Sequence, residues 1–222
     1  MTNIDHNDPE YNKTYIEGKE RVAGLFRRKP KGHGDPTKDR LPPGQHDIGK
    51  HFPILDLGYK PDFDPKTWRL KIYGAVENPV ELTYQALRKL PKVGLTADFH
   101  CVTRWTKFDV QWSGVAWEEI EKLVKPKDTA QFVIQESSDG YTTNVPLEDL
   151  RERKAIVAYE LFDEPLPREH GWPARVIIPN LYGWKGAKFL KGLKFTVEDE
   201  PGFWEVRGYN NHGEVWGEER YS

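Results

Sequence analysis

No stretch of this chain keeps one hydrophobic period for long, and that restricts the fold more than any single residue does. From His51 onward, runs with the two-residue alternation of half-buried strands interleave with short helix-period segments. Trp68–Gly74 and Leu95–Cys101 read as strands, the second ending at the cysteine. Gln131–Gln135 reads as another, and an Asp139-Gly140 turn leads into the extended Tyr141–Val145. Tyr84–Leu90 suits a short helix capped by Thr83, Val115–Val124 an amphipathic helix, and Pro146–Arg151 a helix that proline starts. Ala155–Leu161 and Ala174–Pro179 are further apolar segments. Loops are long and no repeat appears, which argues against both a barrel and a doubly wound sheet.

With 222 residues the chain can bury a substantial core, and one compact unit is the default. Charged residues make up 31%, a polar balance, but eight Trp, ten Tyr and ten Phe supply the area to bury. A net charge of −2 gives no overall reason to expect a nucleic-acid or anionic-membrane partner. No run approaches the ~20 apolar residues of a membrane span. The N-terminus lacks a basic segment followed by an apolar one, so the expectation is a cytoplasmic protein without membrane insertion. Residues 1–50 are polar and broken by Pro and Gly, and they read as an extended arm over a domain of residues 51–222. The basic cluster within 27–36 reads as solvated surface.

The one cysteine, Cys101, stands in Phe99-His100-Cys101-Val102-Thr103-Arg104-Trp105. Without a second cysteine it forms no internal disulfide, so its use is packing, nucleophilic or redox chemistry, or soft-metal ligation. Familiar metal spacings are absent: there is no CxxC and no HExxH. Walker and GxGxxG glycine loops are absent too, which removes the usual supports of ATP and NAD.

A second dense region runs from Pro165 to Lys188 and places His170, Arg175, Lys185 and Lys188 among glycines and prolines. Such cations, with backbone N–H groups at glycine turns, suit a phosphate or another anion; ordinary solvated charge is the alternative. Taken in order, Phe99–Trp105, Trp112–Val115, Ala158–Glu160, Glu164–Arg175 and Lys185–Lys188 resemble the molybdopterin-binding domain of the sulfite oxidase family over residues 50–200. The resemblance implies an α+β fold with mixed sheets, short helices and long loops. It also implies a molybdenum–molybdopterin cofactor without haem, with tungsten left open as the metal. In that family one cysteine thiolate ligates the metal and the pterin supplies a dithiolene, so a single cysteine suffices. Metal binding deprotonates a thiol whose free pKa is ≈ 8.5.

The resemblance assigns roles residue by residue. Cys101 is the metal ligand. His170, Arg175 and Lys188 match elements that contact the pterin and its phosphate, with Lys185 and Gly186 beside them. Ser137 falls where relatives place a pterin contact, and Leu55 and Asp56 where the first pterin loop occurs. Tyr159 matches a tyrosine directed at the substrate pocket, and His100 and Arg104 flank the cysteine, where they could supply charge beside an oxyanion. Two departures stand out. The early loop His51–Asp56 lacks the arginine with which sulfite oxidases bind sulfite, so the substrate stays open between a small oxyanion and an S- or N-oxide. Against the family pattern, the expectation is a protein without the dimerisation domain, a haem domain or an export signal, served by an external electron donor or acceptor. The rival readings are a cofactor-free thiol enzyme using Cys101 and a non-catalytic molybdopterin-binding protein.

Overall fold

The computed structural model describes residues 13, 16–18, 20, 21, 40–58 and 60–222, and the basic stretch 27–36 lies outside them. In chain order the elements are β1 (His46–Asp47), β2 (Arg69–Gly74), β3 (Val80–Thr83), α1 (Tyr84–Lys89), β4 (Lys92–His100), β5 (Trp105–Ala116), α2 (Trp117–Val124), β6 (Phe132–Ser137), β7 (Thr142–Pro146), α3 (Leu147–Glu152), β8 (Ile156–Leu161), β9 (Glu164–Pro165), β10 (Arg175–Ile177) and β11 (Leu190–Thr196). Short 3₁₀ turns lie at Arg168–His170, Gly183–Lys185 and Glu205–Arg207. Two mixed sheets result, as an α+β fold requires. The first has the order β1-β5-β8-β10, with β4 on β5 and β9 on β8; the second has the order β3-β2-β11-β6-β7.

Twelve-residue β5 organises the first sheet, pairing antiparallel with β4 and β8 and parallel with β1. Gly114 is required where β5 meets β8, because a Cβ there would lie 2.1 Å from the Val157 carbonyl oxygen. In the second sheet β11 runs parallel to β2 and antiparallel to β6, so a late strand fills the sheet's middle. Helix α2 buries Trp117, Ile120 and Val124, and the Trp117 ring stacks on Phe195 of β11 at 5.9 Å, which joins helix to second sheet. Burying an aromatic ring of this size outweighs the weak helix propensity of Trp and of the β-branched residues beside it.

Most elements follow the apolar patterns, and the Thr83 cap is present, with its Oγ1 accepting the Ala86 N–H at 3.0 Å. One difference matters, and the contacts of residues 40–50 add detail. Val115 and Ala116 belong to β5 rather than to the helix, which begins at Trp117. Residues 40–50 are bound to the body: β1 extends the first sheet, and the Arg40 guanidinium spans Asp98 and Asp109 on β4 and β5.

Candidate active site

Loops from one end of the two sheets enclose a cavity of about 610 Å³, whose wall includes Leu55, Asp56, Cys101, Asp139, His170, Arg175, Gly186 and Lys188. β4 stops at His100, and Cys101 opens the four-residue loop into β5. That loop is closed by hydrogen bonds: the Cys101 N–H donates to the Trp105 carbonyl at 2.9 Å, and the Cys101 carbonyl accepts the Arg104 N–H at 3.0 Å. Gln45 Nε2 donates to the same carbonyl at 3.0 Å, and Arg104 takes a left-handed φ of 74° to complete the turn. The buried Cys101 Sγ lies 3.1 Å from Thr103 Oγ1, and both residues face the cavity.

Arg175, the first residue of β10, is 3% exposed. Its Nη1 donates to the His170 carbonyl at 3.0 Å, and its guanidinium faces the rings of Phe99 and Trp112 at 5.3 and 5.2 Å. Nε has no hydrogen-bond partner. Burial alone pulls this group down from 12.5 to about 9, with no carboxylate acting against it. It therefore stays cationic at neutral pH. A buried cation held only by ring faces and one carbonyl is a site that wants an anion.

Around Arg175 the site is graded in charge. The His170 ring packs tilted against Phe52 with centroids 4.4 Å apart, and burial, with Arg175 and Lys188 adding to it, pushes its imidazole down to about 4, so the ring is neutral at pH 7. Lys188 Nζ donates to the Glu169 carbonyl at 3.0 Å and stands 3.8 Å from the Asp56 carboxylate. Gly171 holds a φ of 113°, and a Cβ there would lie 2.9 Å from that of Lys188, so this glycine allows both the turn and the lysine's approach. Asp56 Oδ1 accepts the Gly58 N–H at 2.9 Å and so shapes its own loop. On the β6–β7 turn, burial raises the Asp139 carboxyl to about 6.

The structure thus brings Leu55, Asp56, Cys101, His170, Arg175, Gly186 and Lys188 to one cavity. Five other expected residues are not on its wall. Successive strand residues point to opposite faces, and the His100 ring turns inward, where Nδ1 meets Thr106 Oγ1 at 2.9 Å and burial holds it near a pKa of 4. Arg104 is carried by its turn toward Gly44 and the C-terminal Glu218 and Arg220, with burial and Arg220 pulling its pKa down. Tyr159 is 1% exposed, with the Arg88 guanidinium 5.4 Å from its ring centre. Ser137 is equally buried, and its N–H is spent on the Tyr141 carbonyl. Lys185 is fully buried: Nζ donates to Glu205 Oε1 at 2.7 Å, to the Asn211 carbonyl at 2.8 Å and to Asn144 Oδ1 at 3.2 Å. Its ammonium is therefore neutralised inside the protein, where burial lowers its pKa against the pull of Glu205. Gln135 fixes the adjoining loop, its Nε2 donating to the Lys185 carbonyl and its Oε1 accepting the Ala187 N–H, each at 2.8 Å.

Sequence reasoning missed Thr103, Asp139 and the aromatic wall formed by Trp184, Trp204 and Tyr209. Thr103 lies inside the Phe99–Trp105 motif, and the aromatic density of Pro201–Tyr209 is a usable signal. Among the described residues no group of three or more His, Cys, Asp or Glu could hold a metal ion. The described residues thus offer Cys101 as a soft ligand without a protein cluster around it. The soft sulfur, the cavity's size and the uncompensated Arg175 together fit a bulky anionic organic group with a thiophilic metal.

The family model for the oxidoreductase molybdopterin binding domain matches residues 57–204. The chain is 39% identical over 184 residues to the uncharacterized oxidoreductase YuiH of Bacillus subtilis (strain 168), which covers 82% of this chain and 92% of that protein. It is 26% identical over 210 residues to the sulfite oxidase of Arabidopsis thaliana, covering 76% of this chain and 53% of the relative. Among solved structures, the sulfane dehydrogenase SoxCD from Paracoccus pantotrophus aligns with a TM-score of 0.56 at 22% identity, over 63% of this chain and 40% of that one. This last likeness is one of fold. Apart from YuiH, the chain spans little more than half of relatives such as the plant sulfite oxidase, or less.

Proposed function

The chain belongs to the oxidoreductase family of the molybdopterin-binding domain, enzymes of the sulfite oxidase type that use a molybdenum–molybdopterin cofactor, and from that premise we propose how its residues serve oxygen-atom transfer. Cys101 provides the protein's thiolate to the metal. Arg175 takes the cofactor's phosphate, with Lys188 adding charge and the neutral His170 adding a ring nitrogen for hydrogen bonding. Leu55, Asp56 and Gly186 shape the remaining wall. His100, Arg104, Tyr159, Ser137 and Lys185 brace that wall from behind rather than touch the cofactor. When bound, the cofactor supplies the two-electron redox chemistry; the protein supplies orientation, charge and exclusion of water.

The observation that carries this reading is Arg175, a buried cation without a carboxylate, on the same cavity as the chain's one cysteine. A small molecule exchanges an oxygen atom at the site, and electrons pass to or from an external partner. Oxidation of an oxyanion and reduction of an S- or N-oxide are both within its reach. Among the described residues no helix is long and apolar enough to cross a membrane. A cytoplasmic location is part of the proposal, supported by a lone free thiol that suits a reducing compartment.

Protein from a molybdenum-replete host is expected to carry molybdenum and to release a fluorescent oxidised pterin on denaturation. Cys101→Ser is expected to keep the fold, lose the sulfur-to-metal charge-transfer band and lose turnover in a screen of oxyanions and S- and N-oxides with redox dyes. Protein with neither metal nor pterin would support a cofactor-free thiol enzyme instead. A bound metal that no donor or acceptor changes would support a non-catalytic binding protein.

A further inference from the structure

We propose that Thr103 tunes the metal through the Cys101 sulfur, by donating its hydroxyl proton in a hydrogen bond to the thiolate. The inference rests on the reading of Cys101 as metal ligand. Thr103 Oγ1 lies 3.1 Å from Cys101 Sγ, and the two residues share the cavity wall. In the free thiol either atom can donate. A thiolate bound to a metal has no proton, so the direction becomes fixed and the hydroxyl donates.

The backbone holds the two side chains in this relation. The Cys101 N–H and carbonyl are both hydrogen-bonded, the carbonyl by Arg104 N–H and by Gln45 Nε2, and Arg104 closes the loop at a φ of 74°. Thr103 is β-branched, so its χ1 has few alternatives. Beside them, His100 Nδ1 meets Thr106 Oγ1, and the Arg104 guanidinium lies toward Gly44 and the C-terminal tail.

A hydrogen bond to the sulfur draws electron density from it and weakens its donation to the metal. The oxidised metal, which depends more on that donation, loses more than the reduced one, so the reduction potential rises. Thr103 is thus a positioning residue that acts through Cys101, without itself contacting substrate.

The test compares cofactor-loaded wild type with Thr103→Val, Thr103→Ala, Thr103→Ser and Cys101→Ser, reading the charge-transfer band and the midpoint potential from an EPR-monitored titration. Thr103→Val is expected to move the band to longer wavelength and the potential to a more negative value. Thr103→Ala is expected to move both in the same direction, and it serves where the valine methyl disturbs cofactor uptake. Thr103→Ser keeps the hydroxyl and is expected to stay near wild type. Unmoved bands and potentials in Thr103→Val and Thr103→Ala overturn the proposal, as do equal shifts or cofactor loss in Thr103→Ser. A band absent from Cys101→Ser but unmoved in Thr103→Val rejects only the role of Thr103. A band that survives in Cys101→Ser rejects the ligand reading itself.

Discussion

Replacing Arg175 by methionine tests whether its burial is a functional liability, because the reasoning demands opposite effects on two observables. Burial takes the guanidinium from 12.5 to about 9, and at about 1.36 kcal/mol per pKa unit the charged form is disfavoured by roughly 5 kcal/mol. The faces of Phe99 and Trp112 return about 2 kcal/mol each at most in a desolvated setting. The cofactor-free protein thus carries a residual strain on the order of 1–3 kcal/mol. Methionine fills similar space without charge, so the cofactor-free Arg175→Met protein should unfold at equal or higher urea concentration than wild type. Cofactor binding should move the other way. Losing a buried charge-assisted pair costs about 3 kcal/mol or more, which is over a hundredfold in affinity at about 1.4 kcal/mol per tenfold. The assays are urea unfolding of protein from a host that makes no cofactor, and pterin released per chain from a replete host. A variant that loads cofactor normally but loses 2 kcal/mol or more of stability when cofactor-free would refute the reasoning, because Arg175 would then be an internal brace.

Lys185→Met should leave Glu205 buried without its cation and destabilise the protein by about 3–5 kcal/mol in urea unfolding, whereas Lys185→Met combined with Glu205→Gln should recover much of that loss. If Lys185→Met instead unfolds like wild type but loses pterin, the lysine is a cofactor contact after all. Acid should weaken the cofactor-free protein between pH 6.5 and about 4. His100 and His170 stay neutral in the folded state to about 4 while their unfolded counterparts protonate near 6.5, so the stability they contribute above 6.5 is lost as pH falls through this window. Asp139 acts oppositely, since its folded carboxyl takes up a proton near 6 rather than 3.8, and it offsets about one histidine. The net loss is about 4 kcal/mol by pH 4 at about 1.36 kcal/mol per unit. Urea midpoints of wild type and His170→Gln across this range check the sign: the variant should lose less.

The family was legible because the residues that carry the resemblance cluster in sequence, at 99–105 and 165–188, and a co-ordered pair of motifs constrains far more than either alone. What was not legible depended on partners distant in the chain. Nothing near Lys185 marks it as an internal ion, because Glu205, Asn144 and Asn211 reach it from separate segments. Strand β5 was hidden by its own irregularity: Asp109 sits at a φ of 53°, and pairing slips between Ser113 and Gly114, so the two-residue period breaks twice. Strand β11 was obscured in the same way by the slip between Leu190 and Gly192. The strand beside the cysteine was readable although its pairing also slips, between Ala97 and Phe99, because Leu95, Ala97, Phe99 and Cys101 still alternate in the sequence.

The parallel pairing of β2 with β11 has a consequence for when the cofactor can enter. Residues 71–74 find their partners only at 192–195, and the cavity wall includes Trp204 and Tyr209 beyond them. During synthesis, then, β2 can pair at once with β3 on one edge but gains β11 on the other only after about 120 further residues, and that sequence separation makes the closing of the sheet a late, slow event. Cys101 and Arg175 leave the ribosome before the walls that enclose them can close. Loading therefore follows the synthesis of β11, Trp204 and Tyr209, and the timing of insertion is written into the strand order.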